Sequence, residues 1–131
     1  MRTAIDLCSN QSPEKAYING EDFRCGVKAV HSDKHSGILP GQASFITVRG
    51  DIAVTSMTSG ILAGEEGCFT MIRIFNPSVN AQNAGFVFAG AIKNAYGIDF
   101  EGNILKELDF RDDTVSFYVE PKKIVTLAVK L

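Results

Sequence analysis

The sequence has no tryptophan and only three cysteines, Cys8, Cys25 and Cys68. An odd number of widely spaced cysteines provides neither a disulfide framework nor the paired ligands of a zinc knuckle. We therefore predict a reduced chain with a cytoplasmic location. Cys68 directly precedes an apolar segment and is predicted to be a small buried hydrophobe.

The sequence also lacks a long apolar run and a strong excess of charge of one sign. No uninterrupted apolar stretch approaches the ~18 residues that a membrane-spanning helix needs, and Asp6 interrupts any signal-like region near Met1. The formal net charge is -2, and the densest basic pair is Lys122-Lys123. These features predict neither a membrane nor a nucleic-acid partner.

The 131 residues, of which 45% are hydrophobic, fit one domain with a proper core. We predict an irregular N-terminal segment over residues 1–40, because its turn signals leave room for short elements alone. These signals are Ser9-Asn-Gln-Ser-Pro13, Asn19-Gly20 and Ser36-Gly37. Between them, residues 23–30 fit either a strand or a brief helical turn.

From residue 41 to residue 131 the pattern changes to short alternating strands separated by turn residues. The segment from Phe69 to Phe75 is apolar on both faces, which is typical of a central strand, and Asn76-Pro77 ends it. Arg73 interrupts this segment and needs a partner or a route to solvent. The spacing of about ten residues between strands predicts an all-β fold, a β-sandwich of short antiparallel strands.

One histidine cluster has the residue types of a zinc site. On a strand, His31, Asp33 and His35 would share a face, and imidazole with carboxylate is zinc chemistry. However, Ser36-Gly37 follows His35 directly and favours a solvated loop. We therefore predict no metal site here.

Paired acids are the other candidates for chemistry. Asp99 and Glu101 could face the same way, as the two carboxylates of a glycoside hydrolase must. Glu101 adjoins a Gly-Asn turn, so a turn-capping acid is the favoured interpretation. Glu65-Glu66 and Asp112-Asp113 are adjacent pairs in predicted loops and are interpreted as solvated.

No local basic site or helix start that would activate Cys25 as a nucleophile is evident in the sequence. Three tyrosines, Tyr17, Tyr96 and Tyr118, could stack on sugar rings where they are exposed. Tyr118 lies on the polar face of its strand and is the best of the three, although plain surface is the commoner role.

Several segments resemble the C-terminal β-domain of glycoside hydrolase family 38 α-mannosidases over roughly residues 37–131. The motifs are Arg73-Ile-Phe-Asn-Pro77, Ser44-Phe-Ile-Thr-Val48 with Gly50-Asp51, Ala91-Ile-Lys-Asn-Ala95 with Asp99, Gly102-Asn103 and Leu108, and the final Pro121, Ile124, Thr126 and Leu127. In that family the catalytic zinc, its aspartate and histidine ligands and a carboxylate nucleophile lie in a separate N-terminal domain.

The resemblance implies a non-catalytic domain that packs against the catalytic domain of a parent glycosidase. We then expect no catalytic, cofactor-binding or metal-binding residues in this chain. Zinc is expected only in the missing catalytic domain. The chain alone is expected to be inactive in hydrolysis of α-mannosidic bonds. The alternative is a free-standing carbohydrate-binding or interaction module with an oligosaccharide partner, and a ligand-free oligomeric scaffold also stays open.

Overall fold

The computed structural model describes residues 13–26, 28–34, 36–38 and 40–131. Their regular elements are α1 (Pro13–Cys25), β1 (Ile46–Arg49), β2 (Ala53–Gly60), β3 (Phe69–Phe75), β4 (Gln82–Phe88), β5 (Asn94–Ile98), β6 (Ile104–Glu107), β7 (Phe110–Arg111), β8 (Thr114–Val119) and β9 (Ile124–Lys130). No helix in this part of the chain is long and apolar enough to cross a membrane.

The strands form two antiparallel sheets. One has four strands in the order β1-β4-β8-β7, and the other has five in the order β2-β3-β9-β5-β6. The predicted all-β sandwich is therefore confirmed. The edge strands are β1 and β7 in the first sheet and β2 and β6 in the second, and α1 contacts β2.

The helix α1 differs from the irregular segment that the sequence predicts. The turn expected at Asn19-Gly20 lies inside the helix, although glycine in a helix interior costs about 1 kcal/mol relative to alanine. A tertiary contact opposes that local cost, since the Tyr17 ring packs edge-on against Phe75 with centroids 5.3 Å apart. Such contacts commonly override helix propensity.

The core lies between the sheets. Each inner face contributes alternate residues, as the period of two requires: Ile72 and Ile74 from β3, Phe86 and Phe88 from β4, Val115, Phe117 and Val119 from β8, and Leu127 and Val129 from β9. Their burial stabilises the fold by roughly 25 cal/mol for each Å² of apolar surface that is removed from water.

Strand β3 is apolar on both faces, as predicted. Ile72 and Ile74 face the core, whereas Phe69 and Met71 belong to a second cluster on the outer face of the five-stranded sheet. That cluster, closed by Leu62 from the loop after β2, also contains Tyr96, Ile98 and Ala128. The hydrogen-bonded neighbours of β3 are β2 and β9, and β9 takes the middle of the sheet.

Cys68 is exposed, so the prediction that it is buried is wrong. It precedes the first residue of β3, where Phe69 takes the buried position with 1% of its surface exposed. Cys68 lies before the first residue of β3, so the alternation of the strand does not place its side chain in the core.

Asn76, directly after β3, is a fully buried polar side chain that joins the two sheets. Its Oδ1 accepts a hydrogen bond from the Ser78 N–H at 2.9 Å. Its Nδ2 donates to three carbonyl oxygens, those of Asn80 at 2.9 Å, Val119 at 3.2 Å and Glu120 at 3.0 Å. Because Val119 ends β8 in the opposite sheet, this carboxamide connects one end of the sandwich.

We predict that Asn76→Ala lowers the free energy of unfolding by about 3 kcal/mol, because it removes these hydrogen bonds and leaves buried carbonyl groups unsatisfied. Urea denaturation measures the change. Asn83→Ala, at an exposed position of β4, is the control and should stay within about 0.5 kcal/mol of the parent. A loss at Asn76 no larger than at Asn83 would contradict the structural role.

Candidate functional site

A polar concavity lies on the outer face of the five-stranded sheet, and we call it the Arg73 groove. Its floor is a cross-strand row, since Ser56 of β2 and Thr126 of β9 both pair with Arg73 of β3. The loop after β5 forms one wall. The groove has a volume of about 160 Å³ and is lined by Ser56, Thr58, Ile61, Met71, Arg73, Ile98, Asp99, Phe100, Glu101, Gly102 and Thr126.

Arg73 is half-buried in the floor of this groove. Its Nε donates a long hydrogen bond of 3.5 Å to Thr126 Oγ1, and its guanidinium carbon lies 4.7 Å from the centroid of the Phe100 ring. The stacking is a cation–π contact. No carboxylate in the described ranges forms an ion pair with Arg73. The partners of Arg73 within the described residues are thus a hydroxyl and an aromatic ring.

Asp99 organises the wall of the groove. Its Oδ1 accepts hydrogen bonds from the backbone N–H groups of Glu101 and Asn103, each at 2.9 Å, and its Oδ2 accepts one from Asn103 Nδ2 at 2.8 Å. The Asn103 side chain, followed by these backbone donors, holds the pKa of Asp99 below its usual value. Asp99 therefore caps the turn, whereas Glu101, the acid that adjoins the Gly-Asn pair, accepts one long hydrogen bond of 3.4 Å from Asn103 Nδ2.

Tyr96 and Glu65 form a second polar contact beneath the loop that follows β2. The Tyr96 hydroxyl donates to Glu65 Oε1 at 2.9 Å and accepts from Asn94 Nδ2 at 2.9 Å. Asn94 favours the phenolate, but the hydrogen bond and charge of Glu65, together with burial, outweigh it and raise the pKa of Tyr96. Glu65 therefore ties the loop to β5, and the buried Tyr96 offers no ring face for a sugar.

Within the part of the chain that the structure describes, the remaining acids and histidines form no cluster that could hold a metal ion. His31 and Asp33 are exposed and lie outside regular elements, whereas His35 lies outside the described residues. The ranges that the structure describes contain no group of three metal-ligating side chains. The Cys25 side chain is likewise outside what is described. Asp112 and Asp113 occupy the β7–β8 turn.

The outer face of the four-stranded sheet carries the predicted sugar-stacking candidate. Tyr118 is 59% exposed and lies opposite Asn83 in the β4–β8 pair. A shallow concavity of about 440 Å³ beside them is lined partly by Arg49, Asn83 and Ser116. Of the other tyrosines, Tyr17 packs against Phe75. Tyr118 is therefore the tyrosine best placed to contact a ligand.

Sequence reasoning missed the Arg73 groove. A partial signal was present, since Arg73 and Thr126 are polar residues within largely apolar strands, whereas Ser56 lies in a strand with several hydroxyl side chains. The registers that align them, and the contact between Arg73 and Phe100, depend on pairs distant in sequence. Comparison of the chain with protein-family models, curated proteins and solved structures gives no match.

We predict that the Asp99 carboxyl titrates below 3.8 and that Asn103→Ala moves this pKa upward. A lowered folded-state pKa means that the stabilisation is present above the ordinary value and is lost as pH falls through the folded-state value. Carboxyl ¹³C shifts followed against pH measure the effect. Asn80→Ala, in a different loop, should leave the Asp99 titration unchanged. An Asp99 pKa above 3.8 in the parent chain would contradict the capping geometry.

Proposed function

We propose that this chain is a non-catalytic C-terminal β-sandwich domain of an α-mannosidase-like glycoside hydrolase. The catalytic part would perform zinc-dependent hydrolysis of α-mannosidic bonds, and the β-sandwich would pack against it and support it. The resemblance over Arg73–Pro77 and the later segments supports this proposal. Asn76, within that motif, holds the two sheets together, so the motif has a role in the fold rather than in catalysis.

The observation that carries the proposal is the β6–β7 side of the sandwich, by which we mean Ile104, Leu105 and Phe110. These apolar residues are exposed on neighbouring edge strands, and Leu105 exposes 69% of its surface. Natural sheets usually cover or charge such edges, because an unpaired edge with apolar side chains promotes association. Packing against a larger catalytic part would cover this side.

The acidic side chains with defined contacts also support a non-catalytic role. Asp99 accepts three hydrogen bonds within its own turn, and Glu65 accepts one from Tyr96. A general acid or base must instead reach a substrate proton from within a cleft. These two carboxylates stabilise loops.

We expect the purified chain to release no product from an aryl α-mannoside when zinc is supplied. An antibody raised against the chain should capture, from cells that produce it, an α-mannosidase activity that a zinc chelator removes. Zinc-dependent hydrolysis by the purified chain would contradict the assignment as non-catalytic, and captured material without α-mannosidase activity would contradict the parentage.

In the captured enzyme, Leu105→Lys tests the β6–β7 side as the packing surface. It should shorten the half-life of the α-mannosidase activity on heating, because a charge replaces an apolar contact. Val79→Lys is the matched control, since Val79 is 70% exposed and lies in the connection between β3 and β4. Equal half-lives for both variants would show that the packing surface lies elsewhere.

A second candidate function is carbohydrate binding on the outer face of the four-stranded sheet. The exposed Tyr118 ring beside Asn83 and the Arg49 concavity favours it, because an aromatic ring with adjacent amide and guanidinium groups offers both stacking and hydrogen bonds. In this case the chain would bind sugar without a partner domain.

For this second candidate we predict that mannose oligomers bind the chain with a dissociation constant of about 1 mM. Tyr118→Ala should weaken binding about tenfold, and Tyr118→Phe, which keeps the ring, should weaken it far less. Isothermal titration calorimetry measures the constants. The absence of heat with the parent chain, or equal constants for all three proteins, would count against sugar binding at this face.

A further inference from the structure

We propose that the Arg73 groove is a binding site for the carboxylate of a small hydroxylated acid about the size of one sugar acid. The site lies on the opposite sheet from Tyr118, and its wall is the loop that joins β5 to β6. Its test measures binding of a small acid to the chain itself, so its outcome does not depend on either function proposed above.

The first argument is the unused capacity of Arg73. A guanidinium has five N–H donors arranged as a planar fork that matches a carboxylate. Within the described residues it makes one long contact of 3.5 Å, to Thr126. The Phe100 ring centroid lies 4.7 Å from the guanidinium carbon, and no further hydrogen bond to the described residues occupies the remaining N–H groups.

The second argument is the free-energy cost of leaving the half-buried positive charge of Arg73 without an anionic partner. Arg73 sits half-buried between β2 and β9, where partial loss of water disfavours an unpaired cation. Proteins commonly satisfy such groups with a carboxylate partner, and the described part of the chain supplies none. Asp99 is nearby in the groove wall, but its oxygens are already engaged by Glu101 and Asn103. A ligand carboxylate would provide the missing partner.

The third argument concerns the hydroxyl groups beside the guanidinium. Ser56 and Thr58 lie on β2 and line the groove together with Thr126. The Ser56 and Thr58 hydroxyls make no hydrogen bond to the described residues. Each hydroxyl can donate and accept, which suits the hydroxyl groups of a polyol. A ligand that has hydroxyls next to its carboxylate would bind both the guanidinium N–H groups of Arg73 and these protein hydroxyls.

The rim selects the charge and the size of the ligand. Glu101 and Asp99 line the groove, and their negative charges oppose a dianion such as phosphate more strongly than a single carboxylate. Ile61 and Phe100, which are 80% and 68% exposed, offer apolar surface to the C–H groups of a ring. The volume of about 160 Å³ is below that of sites for drug-sized ligands and suits one small ring.

The experiment is a titration of the ¹⁵N- and ¹³C-labelled chain with D-glucuronate, followed by NMR. We expect saturable shifts at the Arg73 Nε–H, Thr126 and Phe100 with a dissociation constant of about 1 mM. Acetate, which has the carboxylate without hydroxyls, should bind several-fold more weakly. D-glucose and inorganic phosphate should each bind at least about tenfold more weakly than D-glucuronate.

Three variants separate the site from the fold. Arg73→Lys keeps the charge but loses the fork, so it should weaken D-glucuronate binding about tenfold. Ser56→Ala tests the hydroxyl row and should weaken binding about threefold. Arg111→Lys, on β7 of the other sheet, is the matched control and should bind as the parent does.

The amide spectrum of each variant shows whether it is folded, and Ser56→Ala keeps the test decisive if Arg73→Lys does not fold. Three results would overturn the proposal. The first is no saturable shift with D-glucuronate up to about 50 mM. The second is equal binding of D-glucose or phosphate. The third is unchanged D-glucuronate binding in folded Arg73→Lys or in Ser56→Ala.

Discussion

The buried carboxamide of Asn76 is the interaction on which the arrangement of the two sheets most depends. It lies at the end of β3, and its Nδ2 reaches carbonyl groups at the end of β8 in the opposite sheet. The Asn76 N–H also donates to the Lys123 carbonyl at 3.0 Å, just before β9. Since buried polar groups must keep their hydrogen-bond partners, the end of β3, the end of β8 and the start of β9 are held together at Asn76.

This constraint explains why β3 can be apolar on both faces without losing its register. Inward, Ile72 and Ile74 pack between the sheets, and outward, Phe69 packs in the cluster closed by Leu62. A slip by one residue would exchange the two sets and would carry Asn76 away from β8. The same register places Arg73 outward, so the groove on the outer face follows from the packing of the core.

Parts of the candidate site were predictable because they are local. Asp99 caps a turn formed by residues two and four positions later, and the adjacent glycine and asparagine indicated that turn. The groove itself was not predictable in this way, since Ser56, Arg73 and Thr126 come from three strands far apart in the chain. Their common face depends on an irregularity in the pairing of β2 between Val54 and Ser56, which no alternation of residue types reveals.

The sequence by itself determined the strands, their turns and the all-β class, because alternation and turn residues act over a few neighbouring positions. Tertiary structure decided the helix α1, in which the Tyr17–Phe75 contact opposes the cost of Gly20, and it decided the exposure of Cys68. It also placed β9 rather than β3 in the middle of its sheet. Each of these outcomes depends on contacts between distant residues, whose energies are set by packing and not by local propensity.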